Sequence, residues 1–436
     1  MNLSLTRRTT ALISLMVAAA VEVFPQVSPT GDYFSESYLR YDDFIYHPSI
    51  KTVQLYRSGF EMSNPLIILN SGERLLCTFD DLEGDVKDYR YTVIHCGANW
   101  KASNLIYTEY LSGYEENPVT EFHSSYNTLQ PYTNYRFLVP SDDMQLLISG
   151  NYLLKVYIAG ETEPVFTRRF MVADPKIGID AQIRRPMVVE DRESKQEIDF
   201  SIITQNLTIE DPYRSLHVVV MQNNRWDNAI QDLKPRMIID NTLNYNYDRE
   251  NVFDGGNEYR DFDIKSLTYR SLRIKAITFE RDTHRVELWV DEPRSYRVYH
   301  SEADINGRLL VSCEDAHDIA TECDYMKVHF FLRYPVPLDH GSLYVFGGLT
   351  CNQFTGEGLM NYNPVRKGYE AELYLKQGFY NYQYIFLENN SLRGDVTLVE
   401  GNHFETQNEY MILVYYRPPG SIYDALIGAS VINSPF

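Results

Sequence analysis

Five cysteines carry the most readable chemistry in this 436-residue chain, because a thiol can bridge, ligate a metal or react, and spacing separates these uses. They sort into Cys77 with Cys96, Cys313 with Cys323, and a single Cys351. Both pairs flank stretches that read as hairpin turns, so two disulfides are one reading and reduced, buried thiols the other. A zinc site fits poorly. Cys313, His317 and Cys323 lack a nearby CxxC partner, and His95 and Cys96, adjacent in a strand, point to opposite faces.

The 60 acidic side chains offer a second chemistry. In a chain with so many, two carboxylates can be paired anywhere, so their number argues for no glycosidase dyad. One cluster is local. Asp248, Glu250, Asp254, Glu258, Asp261 and Asp263 surround Gly255-Gly256, whose glycines allow positive φ, in what reads as an acidic loop. Calcium would require several of these oxygens to converge, and the spacing matches no EF-hand, which favours a solvated loop. No GxSxG elbow, P-loop, GxGxxG after a strand or HExxH occurs, so no catalytic residue, metal ligand or cofactor is assigned. Trp100 and the Trp226-Asp227 pair read as anchors of a core or interface. Arg225 and Trp226 are the candidates for a partner surface.

The elements that must position these residues are short strands. Leu75, Cys77 and Phe79 alternate with polar neighbours, and Arg90, Thr92, Ile94 and Cys96 continue the period after a polar turn, which predicts a β-hairpin. A turn centred between Val86 and Lys87 sets Cys77 opposite Cys96, whereas a tighter turn at Gly84-Asp85 sets Cys77 opposite Thr92. Similar segments recur about every ten residues, with no long helical period between them, which predicts an all-β fold of tandem antiparallel sandwiches. Apolar content of 44% with 35 Tyr fits such half-buried strands. Boundaries are expected after Pro175 and near Glu322, giving domains at 28–175, 176–320 and 321–436.

Address comes from the first residues. Arg7 and Arg8 precede an apolar run from Thr10 to Phe24, ending near Ala18-Ala19-Ala20, which predicts a signal peptide over residues 1–27. The paired arginines leave both ordinary and twin-arginine export open. The run is too short to span a bilayer, and no cysteine lies near the cleavage region, so a soluble chain without a lipid anchor is expected. A formal charge of −20 argues against nucleic acid, whose phosphates need clustered Lys and Arg.

The ordered pieces IKTVQLYRSGFEMSNPLIILN at 50–70, DDLEGDVKDYRYTVIHC at 80–96, SYNTLQPYTNYR at 125–136, QNNRWDNAI at 222–230, ENVFDGGNEYRDFDIKSL at 250–267 and EGNHFETQNEYMILVYYR at 400–417 resemble the plug protein family of the Bacteroidota type IX secretion system. The resemblance implies a non-enzymatic periplasmic protein at the inner side of the outer membrane. It would be peripheral through protein contacts, with no small-molecule substrate, docked on the translocon barrel and closing its channel when no substrate is present. Residues 343–389, LYVFGGLTCNQF through YEAELYLKQGFYNYQYIFLEN, also resemble early-set immunoglobulin-like domains related to glycogen-binding modules. That resemblance implies an alternative, an extracytoplasmic glycan-binding β-sandwich protein. The tryptophan such modules often carry is replaced here by Cys351, Asn352 and Phe354.

Overall fold

The computed structural model describes residues 38–205, 207–314 and 316–435, and the expected signal peptide lies outside them. Among the described residues, strands dominate and no helix is long and apolar enough to cross a membrane. The expected all-β, largely antiparallel architecture is what forms, with two parallel exceptions: Leu66–Ile68 beside Phe166–Ala173, and Thr283–Leu288 beside Tyr325–Arg333.

In the first sandwich, one sheet runs Phe44–Ile45, Phe166–Ala173, Gly150–Ile158, Tyr89–Cys96, Glu116–Pro118. The facing sheet runs Ile50–Arg57, Leu75–Asp81, Thr133–Val139, Glu121–Ser124. This corrects the hairpin. Leu75–Asp81 and Tyr89–Cys96 belong to opposite sheets and meet through side chains across the core, not through backbone bonds. Phe79 stacks on Tyr135 of its own sheet at 5.0 Å and meets Tyr89 of the other edge-on at 5.1 Å. The polar turn is an arch over the sandwich rim. Lys87 Nζ gathers Asp81, Glu83 (2.8 Å) and Asp85 (2.9 Å), and Tyr89 OH donates to Asp81 at 2.9 Å.

The arch also separates the cysteines. Cys77 faces the inside of the first sandwich, while Cys96 is in a different apolar cluster behind the other sheet. Both are free thiols, and neither expected register, Cys77 opposite Cys96 or opposite Thr92, forms, because the two strands do not pair.

The middle sandwich packs Gly178–Arg184, Lys195–Ile203, Thr242–Asn244 and Met237–Ile239, with Val252–Asp254 alongside, against Arg225–Gln231, Leu216–Gln222, Glu409–Tyr416 and Ala425–Asn433. The third is built between these pieces, from strands spanning Arg260–Asp263 to Gly378–Glu388. Its division of the chain therefore differs from the expected boundary near residue 321. Strands from 260 to 288 pair within the third sandwich, and the last two strands return to the middle one.

The three bodies are joined by buried seams. Met411, Leu413 and Tyr415 turn from the middle sandwich onto Leu153, Met171 and Ala173 of the first. Tyr415 OH donates to Asn151 at 2.8 Å. Between the first and third sandwiches, Lys376 Nζ donates to Asp80 at 2.7 Å, both side chains being almost fully buried, and Tyr325 OH donates to the same oxygen at 2.6 Å. At the meeting of all three, Arg308 donates to Asn64 (3.0 Å) and Glu409 (2.5 Å), and Asn64 to Glu409 (2.9 Å).

A buried ion pair broken on one side leaves an uncompensated charge. Lys376→Met is therefore expected to lower the unfolding free energy by about 3–5 kcal/mol. Adding Asp80→Asn should recover part of that loss. Denaturant titration checks this, and a single variant as stable as the parent would sink it.

Candidate interaction surface

The two residues expected on a partner surface lie in a seam. Arg225 is 3% exposed, donates to Asp227 at 3.0 and 2.6 Å, and lies over the Phe346 ring at 5.2 Å. Burial opposes its charge, but Asp227 outweighs burial and holds its pKa above the ordinary arginine value. Trp226 is half-buried, edge-on to Trp100 at 5.1 Å, with Arg169 over both rings. Trp226 ties the middle sandwich to the first, and Arg225 ties it to the third through Phe346 and the Gly394 carbonyl. Sequence alone does not show this, because an Asn-Asn-Arg-Trp run reads equally well as an exposed turn.

The acidic stretch is corrected too. From Asn251 to Ile264 the chain is mostly buried, passing from the middle to the third sandwich. Gly255 threads so close to the His403 carbonyl that a Cβ would stand 2.0 Å from its oxygen, and Gly256 takes φ +67. Its carboxylates disperse to separate partners: Asp248 to Arg236, Asp254 to Asn402 and Arg393, Glu258 to Tyr299, and Asp263 to Lys265. Among the described residues, no group of three or more His, Cys, Asp or Glu is placed to hold a metal ion.

A different surface gathers functional-looking residues, on the third sandwich. It is floored by Arg260, carried by the Arg260–Asp263 strand, which donates to Asp291 at 2.7 Å and to both Glu400 oxygens at 3.1 Å. Arg294 donates to Glu400 at 2.8 Å, and the Tyr382 and Tyr384 hydroxyls donate to Asp291 at 2.7 and 2.8 Å. Burial would raise the Glu400 carboxyl, but the two guanidiniums overcome it and draw it down to about 2. The floor is thus charged, locally balanced and fully bonded.

Above it opens a hollow of about 270 Å³ lined by Arg273, Val290, Glu292, Arg297, Val298 and His300, among others. Its surroundings are apolar and exposed. Leu272 is 98% exposed, Val298 92%, Tyr296 72% and Trp289 56%. The backbone N–H of Trp289 donates to the Arg273 carbonyl at 3.0 Å, which pairs the chain at Trp289 with the chain next to Leu272. Exposed Trp and Tyr mixed with Arg is the composition of interaction hot spots. The sequence signal was weak: LWVDEPRSYRV at 288–298 shows no period and no motif.

Beside this floor, Glu258 is buried between the middle and third sandwiches. Tyr299 OH donates to it, as does the Gln407 N–H at 3.1 Å, while Oε2 is unpartnered. Burial dominates and pushes its carboxyl up to about 7. A carboxyl raised this way contributes stability that is complete below its ordinary value of 4.5 and is lost as pH rises through about 7. Glu258→Gln, neutral at every pH, should therefore gain thermal stability relative to the parent as pH rises between about 5 and 8. Parallel melting curves across that window would reject the assignment.

Residues 50–174 match the family model described as the type 9 secretion system plug protein first domain. A crystal structure of a hypothetical protein from Parabacteroides merdae is similar over 91% of this chain and 100% of that one, at 37% identity and a TM-score of 0.89. The C-terminal domain of the Streptococcus pyogenes antigen I/II-family protein AspA is matched over 87% of this chain and 98% of that one, but at 7% identity and a TM-score of 0.14, which carries no argument. No curated protein matches the chain.

Proposed function

We propose, from the match of residues 50–174 to the type 9 secretion system plug protein first domain, that this chain is a non-enzymatic periplasmic plug. It docks on the translocon barrel of the outer membrane and seals the channel when no substrate occupies it. The observation that carries this reading is the family match over residues 50–174. Three sandwiches locked by buried ion pairs and a shared apolar seam support it, because a seal must resist bending across a wide mouth.

The docking surface in this reading is the rim of Trp289, Leu272, Tyr296 and Val298 with Arg273 and Arg297. Its partner is the periplasmic rim of the barrel. An exposed, mixed aromatic and charged surface suits a seal that must release, since separation then leaves no large dry core open to water.

Affinity purification of the full chain from its native outer membrane in mild detergent is expected to recover the barrel. Recovery without it would overturn the reading. Trp289→Ala combined with Arg297→Glu should cut barrel recovery at least about tenfold, the effect of losing one hot spot. Undiminished recovery, with melting temperature unchanged, would remove this surface from the interface while leaving the plug role standing.

A further inference from the structure

The segment between the Leu309–Val311 and Tyr325–Arg333 strands adds its own contacts to the grip of the third sandwich on the first. Near its start, Ser312 N–H donates to the Gln377 carbonyl at 3.1 Å and Glu314 N–H to the Lys265 carbonyl at 3.1 Å, both within the third sandwich. Near its end the partners change. Tyr132 OH donates to the carbonyls of Ala320 (3.2 Å) and Cys323 (2.9 Å), and Tyr126 N–H donates to Thr321 at 2.9 Å. The N–H groups of Leu129 and Gln130 donate to the Asp324 carboxylate at 2.9 and 3.3 Å. Lys376, already bonded to Asp80, donates to the Ala320 carbonyl at 2.9 Å.

Across the base of this segment, Cys313 Sγ stands 2.8 Å from Cys323 Sγ, both being free thiols. Bonded sulfurs stand about 2.05 Å apart, so closing the gap needs only a small side-chain adjustment. Cys323 is buried and Cys313 half-buried. We propose that Cys313 and Cys323 form a disulfide that clips the base of this segment and holds its carbonyls in register with the first sandwich.

The chemistry is a thiol–disulfide exchange with a disulfide-bearing oxidant. The Cys313 thiolate, the more accessible, attacks one oxidant sulfur and breaks its S–S bond, giving a mixed disulfide. The Cys323 thiolate then displaces the second oxidant thiolate. One S–S bond forms within the chain and one breaks in the oxidant, which takes up two electrons and two protons to become two thiols. Burial pushes both thiols upward, which suits a bond formed during folding and then shielded, not a sensor that must ionise repeatedly. Cys77 and Cys96, raised to about 12 by burial, and Cys351 serve as internal controls, each a free thiol.

The inference goes beyond the plug reading, and its test needs no barrel. The full chain is refolded in a glutathione and glutathione-disulfide buffer, then denatured, alkylated and analysed by mass. Three alkylated cysteines with a linked peptide pair holding Cys313 and Cys323 are expected; five alkylated cysteines, or any other linkage, would overturn the bond. The clip is tested by hydrogen exchange. In Cys313→Ser, the amides of Tyr126, Leu129 and Gln130 should exchange at least about tenfold faster, while those of Gly150–Ile158 stay unchanged. Equal exchange at those three amides would overturn the clip.

Discussion

The Glu409–Tyr416 strand is apolar on both faces, and the arrangement of the molecule follows from covering both. Tyr410, Ile412 and Val414 enter the core of the middle sandwich; Met411, Leu413 and Tyr415 enter the seam with the first. A strand with one wet face alternates, whereas one buried on both sides reads as a continuous apolar run, as MILVYY does. Its pairing with Leu216–Gln222 joins parts of the chain separated by the whole third sandwich. Tyr410 OH, for instance, donates to Gln196 at 2.6 Å across 214 residues. Completing the middle sandwich therefore requires pairing strands that the third sandwich separates in sequence, a long-range closure of the kind that slows folding.

The abundance of tyrosine has a sharper cause than half-buried strands. The largest fully buried side chains are almost all tyrosines, and apart from Tyr245 their hydroxyls are hydrogen-bonded to polar groups. Tyr325 reaches Asp80, Tyr89 reaches Asp81, Tyr382 and Tyr384 reach Asp291, and Tyr415 reaches Asn151. Each ring fills the core as phenylalanine would, while its hydroxyl supplies the donor that a buried carboxylate or amide needs. That is how the seam between the first and third sandwiches holds Asp80 with Lys376, and the third sandwich holds Asp291 with Arg260, without stranding their oxygens.

Strand positions were legible in the sequence because period-two alternation depends only on one face being buried. Partners were not. The alternation of Leu75, Cys77 and Phe79 looks the same whether the next strand lies beside it or across the core, and the arch at Lys87 decides for the latter. Spacing brought Cys313 and Cys323 together because a short segment returns to its own sandwich, but failed for Cys77 and Cys96, which an arch sends to separate clusters. Acidity misled between Asn251 and Ile264, since carboxylates mark a solvated loop only when no hydrogen-bond donor of the fold meets them. Here Tyr299, Asn402 and Lys265 take them up one at a time. The exposed rim around Trp289 left no trace, because exposure is a property of the fold and not of a residue pattern.

That rim is placed where its anchors cannot drift. Trp289 is two residues from Asp291, which is fixed by Arg260, Tyr382 and Tyr384, and Arg297 is three residues from Arg294, which is fixed by Glu400. A surface of exposed aromatic and aliphatic side chains ordinarily costs little to reorder and so binds weakly. When the backbone beneath it is held by a buried ionic floor, less ordering remains to be done on binding. The same floor is balanced in charge, so on the proposed reading the rim meets its partner through shape and apolar area, and Arg273 and Arg297 at the edge set its orientation.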